Sequence, residues 1–262
     1  MMAGTLLDPR NGSDFDLSPD GRGQRAYIIA SVPRSGSTLL ARLLWDTGLV
    51  GAPKEYLNPM QLRDWTVRDG PAVTRWVHSR LRGSLVGAVV GRGWSEQQLK
   101  RHLERVQSRR SSGGWFGLKL HHHHLIRYGG LPFIDRMLPH AHWLRITRED
   151  RLGQAISWER ALGSGQWAAW QPKGRTVPYR RERVRQRLAD IEQAESGWNQ
   201  MLKGRAVWQV SYESLVADPA ATVRAALASL GVEAPVETPG LPTRRQADAV
   251  TAEWRARWAA GI

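Results

Sequence analysis

The chain has 262 residues, 41% of them apolar, enough to bury a full core in one large α/β domain or two small ones. Zero cysteines exclude disulfide scaffolds, thiolate zinc fingers and cysteine nucleophiles, and fit a reducing, cytoplasmic setting. No apolar run reaches the roughly 18–20 residues of a membrane span, and the first residues lack the basic-then-apolar layout of a signal peptide. The formal charge of +14 is uneven: residues 1–25 carry a net −1, residues 26–150 a net +10 and residues 151–262 a net +5. Of the 38 basic residues 33 are arginine, which favours bidentate recognition of phosphate or carboxylate. Charge alone leaves nucleic acid and nucleotide open as partners.

Residues 1–25 mix Gly, Asp, Ser, Pro and Asn without periodicity and predict a flexible N-terminal tail ahead of a folded domain at 26–262. Ala26–Val32 is a short β-prone run long enough for a buried strand. It ends in Pro33-Arg34-Ser35-Gly36-Ser37-Thr38, after which LLARLLWDTG repeats apolar residues at helical spacing and stops near Gly48. Further strands are predicted at Trp115–Leu120, Ala141–Thr147 and Ala206–Tyr212. Helices are predicted around Trp94–Arg109, Arg151–Leu162, Arg181–Leu202 and Pro219–Leu230. The alternation predicts a single three-layer α/β domain with a central, mostly parallel sheet. Gly163–Pro178, rich in Gly, Trp, Gln and Pro, predicts a long surface excursion. Four histidines at 121–124 follow a strand directly, and no carboxylate at ligand spacing makes them a metal site.

The loop Pro33–Thr38 carries the most chemistry. Gly36 allows close backbone approach, and the helix start that follows directs N–H groups and partial positive charge at an anion. Ser35, Ser37 and Thr38 add hydroxyl donors, and Arg34 adds a permanent cation. A kinase or NTPase loop would read G-x-x-x-x-G-K-[ST]. No Lys precedes the hydroxyl pair here, so Mg²⁺-dependent ATP hydrolysis is disfavoured.

VPRSGSTLLARLL resembles the 5′-phosphosulfate loop of sulfotransferases that use 3′-phosphoadenosine 5′-phosphosulfate (PAPS). More narrowly, the chain resembles the bacterial trehalose 2-sulfotransferase-like family, through GAPKEYLNP at 51–59, FGLKLHHHHL at 116–125, WLRITREDRLGQAISWERA at 143–161, VSYESL at 210–215 and RRQADAVTAEWRARW at 244–258. The resemblance implies a P-loop-like fold and transfer of a sulfuryl group from PAPS, without a metal, to a hydroxyl of a carbohydrate or glycolipid. It implies that Arg34, Ser35, Gly36, Ser37 and Thr38 hold the phosphosulfate, that Arg148 and Ser157 hold the 3′-phosphate, and that Arg244 or Arg245 closes over the nucleotide. Glu55 is the first candidate for general base, as in that family; His121, in Lys119-Leu120-His121, is the second, with Lys119 assisting the leaving oxygen. Pro53, Tyr56, Trp65, Trp167 and Trp170 are candidate acceptor contacts, each Trp weighed against an ordinary core role. Tyr56 is followed by Leu57 where the family carries an aromatic pair, so trehalose itself stays open as the acceptor. Dimers occur in the related family, which makes a homodimer the assembly to test. Two other readings compete: a basic nucleic-acid-binding module, for which no reading motif is present, and a nucleotide kinase with an atypical phosphate loop.

Overall fold

The structure, a computed structural model, describes residues 6, 8–17, 25–70, 94–167, 171, 174–233 and 249–262. Four strands, β1 (Arg25–Ser31), β2 (Trp115–His121), β3 (His142–Thr147) and β4 (Val207–Ser211), form one sheet in the order β2-β1-β3-β4. β3 and β4 are parallel, with Trp143 opposite Val207 and Thr147 opposite Ser211. The α/β class is as expected, and each strand lies within a residue of its predicted bounds. β2 is buried along its whole length and β1 from Ala26 onward, the mark of strands covered on both faces. Among the described residues no helix is long and apolar enough to cross a membrane.

The chain gathers into two compact units. One comprises the described residues of Met1–Ile28, Gly48–Leu120 and His124–Ala141. It holds α2 (Pro59–Asp69), capped by Asn58, α3 (Glu96–Arg110), opened by a Ser95/Gln98 capping box, α5 (Leu131–Met137) and most of α4 (His122–Arg127). Residues 8–17 correct the expectation of a flexible tail. They form two 3-10 turns, Pro9–Asn11 and Ser13–Phe15, with Asp8 and Asn11 buried in this unit. Lys54 Nζ donates to Asp8 Oδ2 at 2.9 Å and to Asn11 Oδ1 at 2.6 Å, while Asp64, fully buried, accepts from Asp8 N and Asn11 Nδ2. Arg110 donates to the carbonyls of Phe15 and Gly12. Polar residues that read as solvated are buried here because each one meets a partner.

The second unit comprises the described residues of Ile29–Thr47, His121–His123 and His142–Ile262. It holds α1 (Ser37–Asp46), α6 (Arg151–Ser164), α7 (Arg181–Met201), α8 (Tyr212–Ala217), α9 (Pro219–Ser229) and α10 (Ala249–Ala259). α6 packs on α7 and α10, and α9 packs on α1, α8 and β4. Gly48 has a φ of 71° just past α1, the left-handed stop expected of it. α6 runs to Ser164 and ends at Gly165, φ 77°, so the predicted excursion starts later than Gly163. The sequence reading has no helix at α10.

Candidate functional site

In the second unit, β1 delivers the chain into Val32–Gly36, and Gly36 is the N-cap of α1. The turn is held from three sides. Trp198 Nε1 donates to the Ser31 carbonyl at 2.9 Å, Gln154 Nε2 to that of Pro33 at 2.9 Å, and Arg148 Nη1 to that of Arg34 at 3.3 Å. Arg34 has a φ of 65° and Gly36 one of 89°. A Cβ on Gly36 would meet Tyr212 Cδ2 at 2.5 Å, so both the backbone angle and the space demand glycine. Ser35 is fully buried, and its hydroxyl has no hydrogen-bond partner.

Two cations flank the turn. Arg34 Nε donates to Ser157 Oγ at 2.9 Å and Nη1 to the Trp167 carbonyl at 2.7 Å. The guanidinium of Arg148 lies 4.9 Å above the Tyr212 ring and pairs with Asp150 at 3.2 Å. Burial, together with the charges of Arg148 and Arg160, holds the Arg34 guanidinium down at about 10. A buried guanidinium beside the turn and the orphaned Ser35 hydroxyl favour a bound anion. His121 also belongs to this unit: its Nδ1 shares a 3.0 Å hydrogen bond with Ser31 Oγ, and its ring stacks on His123 at 5.7 Å.

In the first unit, Lys54 bridges Leu118 in parallel fashion, and its carbonyl accepts from Lys119 N at 2.9 Å, so the Glu55 turn is docked along β2. Gly117 makes room for it, because a Cβ there would meet Pro53 Cβ at 2.7 Å. Lys119 Nζ pairs with Glu55 Oε1 at 2.7 Å, and Asn58 Nδ2 donates to Glu55 Oε2 at 2.6 Å. Both carboxylate oxygens are therefore held.

The sequence model of the Stf0 sulphotransferases matches residues 26–261. The chain belongs to the Stf0 sulphotransferase family. It is accordingly a sulfuryl-transfer enzyme, which decides against the kinase and nucleic-acid readings. No curated protein matches this Stf0 sulphotransferase. Among solved structures, it is similar to the sulfotransferase domain from the curacin biosynthetic pathway, at 17% identity and a TM-score of 0.51, covering 87% of this chain and 82% of that one. That likeness shows the fold. The sulfotransferase from Alicyclobacillus acidocaldarius matches at 15% identity and a TM-score of 0.45 over 91% and 96% of the two chains. The sulfotransferase domain of the Synechococcus PCC 7002 olefin synthase matches at 16% and 0.43 over 92% and 90%.

The structure of this Stf0 sulphotransferase brings Arg34, Ser35, Gly36, Arg148 and Ser157 together in one unit, and Lys119 and Glu55 together in the other. Pro53 is buried against β2. Tyr56 and Trp65 depart from the expected acceptor wall. Each is 1% exposed, with their rings edge-on at 5.9 Å, and Tyr56 also stacks on Phe116; neither presents a face for a sugar. Trp167 is 43% exposed. Trp170, Arg244 and Arg245 lie outside the described residues. Gln154, Trp198 and Tyr212 are residues that sequence reasoning missed as supports of the turn; of these, Gln154 and Tyr212 lie in blocks that carried the family resemblance, while Trp198 carried no signal beyond its size.

Proposed function

We propose that this enzyme takes its sulfuryl group from PAPS and passes it to a hydroxyl of a carbohydrate or glycolipid. The observation that supports the donor is the turn at residues 32–36, too tight at Gly36 for any Cβ, with a buried unpartnered Ser35 hydroxyl and the guanidinia of Arg34 and Arg148 beside it. These residues fit a phosphosulfate. The hydroxyls of Ser35, Ser37 and Thr38 and the first-turn N–H groups of α1 would grip its oxygens, and Arg34 would offset charge on the leaving phosphate. Arg148 and Ser157 would take the 3′-phosphate. When bound, the donor supplies the activated sulfuryl group; a new bond joins the acceptor oxygen to sulfur as the bond from sulfur to the phosphate oxygen breaks.

On the acceptor side, Glu55 receives the hydroxyl proton. Lys119 and Asn58 fix its carboxylate in one orientation, which shortens the search for a reactive geometry. His121 is the second candidate for that proton, through an imidazole oriented by Ser31. Trp167 offers an exposed indole face to a sugar ring.

The test is transfer of ³⁵S from labelled PAPS to a panel of mono- and disaccharides and glycolipids, beside titration of adenosine 3′,5′-bisphosphate (PAP) and AMP. Labelled sugar product and a clear preference for PAP are the expected results. Equal affinity for PAP and AMP overturns the donor assignment, and label appearing only on non-sugar alcohols overturns the acceptor class.

A further inference from the structure

We infer that Arg255, on the C-terminal helix α10, belongs to the donor-binding wall and sets selectivity for a nucleotide carrying a 3′-phosphate; this rests on the donor reading above. Asp150, Gly153, Ser157 and Arg160 recur at three- and four-residue spacing along α6 and its cap, so they share one face of that helix. Asp150 Oδ1 caps the helix through Gly153 N at 3.0 Å, and its Oδ2 accepts from both Arg148 Nη2 and Arg255 Nη2. Four residues on, Ser157 meets Arg34. Arg160 Nη1 then donates to Thr251 Oγ1 of α10 at 2.6 Å, tying the two helices together.

Gly153 is what admits Arg255. A methyl at that position would overlap Asp150 Oδ2 and Arg255 Nη2 at once. With glycine there, the Arg255 guanidinium comes down on the first turn of α6, beside the same carboxylate that Arg148 uses.

The charges on this face are Arg34, Arg148, Arg160 and Arg255 against Asp150 and Glu213, the latter accepting from the backbone N–H groups of Glu149 and Asp150. Among the described residues these four cations outnumber the two carboxylates, and Arg148 Nε is buried with no hydrogen-bond partner. A phosphate monoester, with about two negative charges and three acceptor oxygens, is the ligand chemistry that uses such a set. By bridging Arg148 and Arg255, Asp150 holds their guanidinia close enough to share one anion. Arg255 supplies a C-terminal cation from a helix, in addition to the expected Arg244 or Arg245, which lie outside the described residues.

The experiment is calorimetric titration of the full chain and of Arg255→Gln with PAP and with AMP. PAP affinity is expected to fall by about tenfold or more, the loss of a charge-assisted hydrogen bond, and AMP affinity by less than about twofold. Arg255→Met, which keeps the aliphatic stem and leaves Asp150 and the Gly153 turn untouched, is expected to show the same selective loss, and it decides the matter if Arg255→Gln does not fold. Unchanged PAP affinity in the variants, or equal losses for PAP and AMP, overturns the role of Arg255. If the unaltered protein itself does not prefer PAP over AMP, it is the donor reading that fails.

Discussion

Lys119 Nζ lies 2.7 Å from Glu55 Oε1, and both side chains belong to the same compact unit, one on β2 and the other on the turn docked along it. Their side chains are 7% and 18% exposed, so water competes weakly for the pair. A carboxylate oriented from both oxygens is prepared for a proton that arrives from one direction. Glu55→Gln is expected to lower kcat by about 10²–10⁴-fold, the range for a lost general base, with PAP affinity changed by less than about twofold. Lys119→Met keeps the carboxylate but frees it to turn, and a kcat loss of about 10²-fold is expected. Steady-state kinetics and PAP titration check both. Should His121→Ala carry the loss and Glu55→Gln not, the proton goes to the imidazole.

The turn after β1 is tested at Gly36. Alanine there would hold a φ of 89° and place its Cβ 2.5 Å from Tyr212 Cδ2. The backbone strain costs about 1–3 kcal/mol, and the collision forces the turn or the tyrosine aside. PAP affinity is expected to fall at least about tenfold, in line with loss of charge-assisted contacts, while circular dichroism keeps its α/β signature. Adding Tyr212→Ala removes the collision but not the strain, so the double variant is expected to recover only part of the affinity. Unchanged PAP binding in Gly36→Ala would mean that the donor is gripped elsewhere.

How far the sequence reached depended on the range of the interaction. The four strands and the long helices were legible because their signal is local: Trp115–His121 and His142–Thr147 are β-prone runs, and α7 keeps its apolar spacing over six turns. Glu55 and Lys119 were legible as candidates, yet belonged to rival schemes, since nothing in residues 64 positions apart announces an ion pair. Tyr56 and Trp65 went astray because an aromatic suits a core and a sugar site equally well. The segment 8–17 went astray for the opposite reason: the burial of Asp8 and Asn11 depends on Lys54 and Asp64, partners far along the chain. α10 was missed because Val250–Trp258 scatters arginines among its apolar positions and buries little beyond Trp254.

That segment is itself testable. Lys54 and Asp8 side chains are each 9% exposed, and burial outweighs the pull of Asp8 enough to bring the Lys54 ammonium down to about 8. Removing one partner leaves the other charge buried, at a cost of about 3–5 kcal/mol. Asp8→Ala is expected to lower stability by that order in urea unfolding. Lys54→Met in the same chain deletes the stranded ammonium, so the double variant is expected to be more stable than Asp8→Ala alone. Additive losses would show that the two do not act as a pair.

The last prediction concerns acid. His102 is buried between the rings of Trp65 and Trp94, with its Nε2 2.9 Å from the Tyr56 carbonyl, and burial pushes its imidazole down to about 4 from 6.5. In the unfolded chain His102 takes up a proton as pH falls through 6.5, whereas in the folded chain it stays neutral until about 4. The unfolded state therefore holds more protons across that window, and folding stability drops as the pH is lowered through it. Asp8 acts in a separate range: Lys54 and Arg10 overcome its burial and hold it at about 2, so its contribution is complete above 3.8 and is lost only below it. Thermal unfolding followed from pH 7 to pH 4 is expected to show a falling Tm, and His102→Gln, which keeps an N–H for Tyr56 but does not titrate, is expected to fall less steeply. Parallel slopes for the two proteins would place the acid sensitivity on other groups.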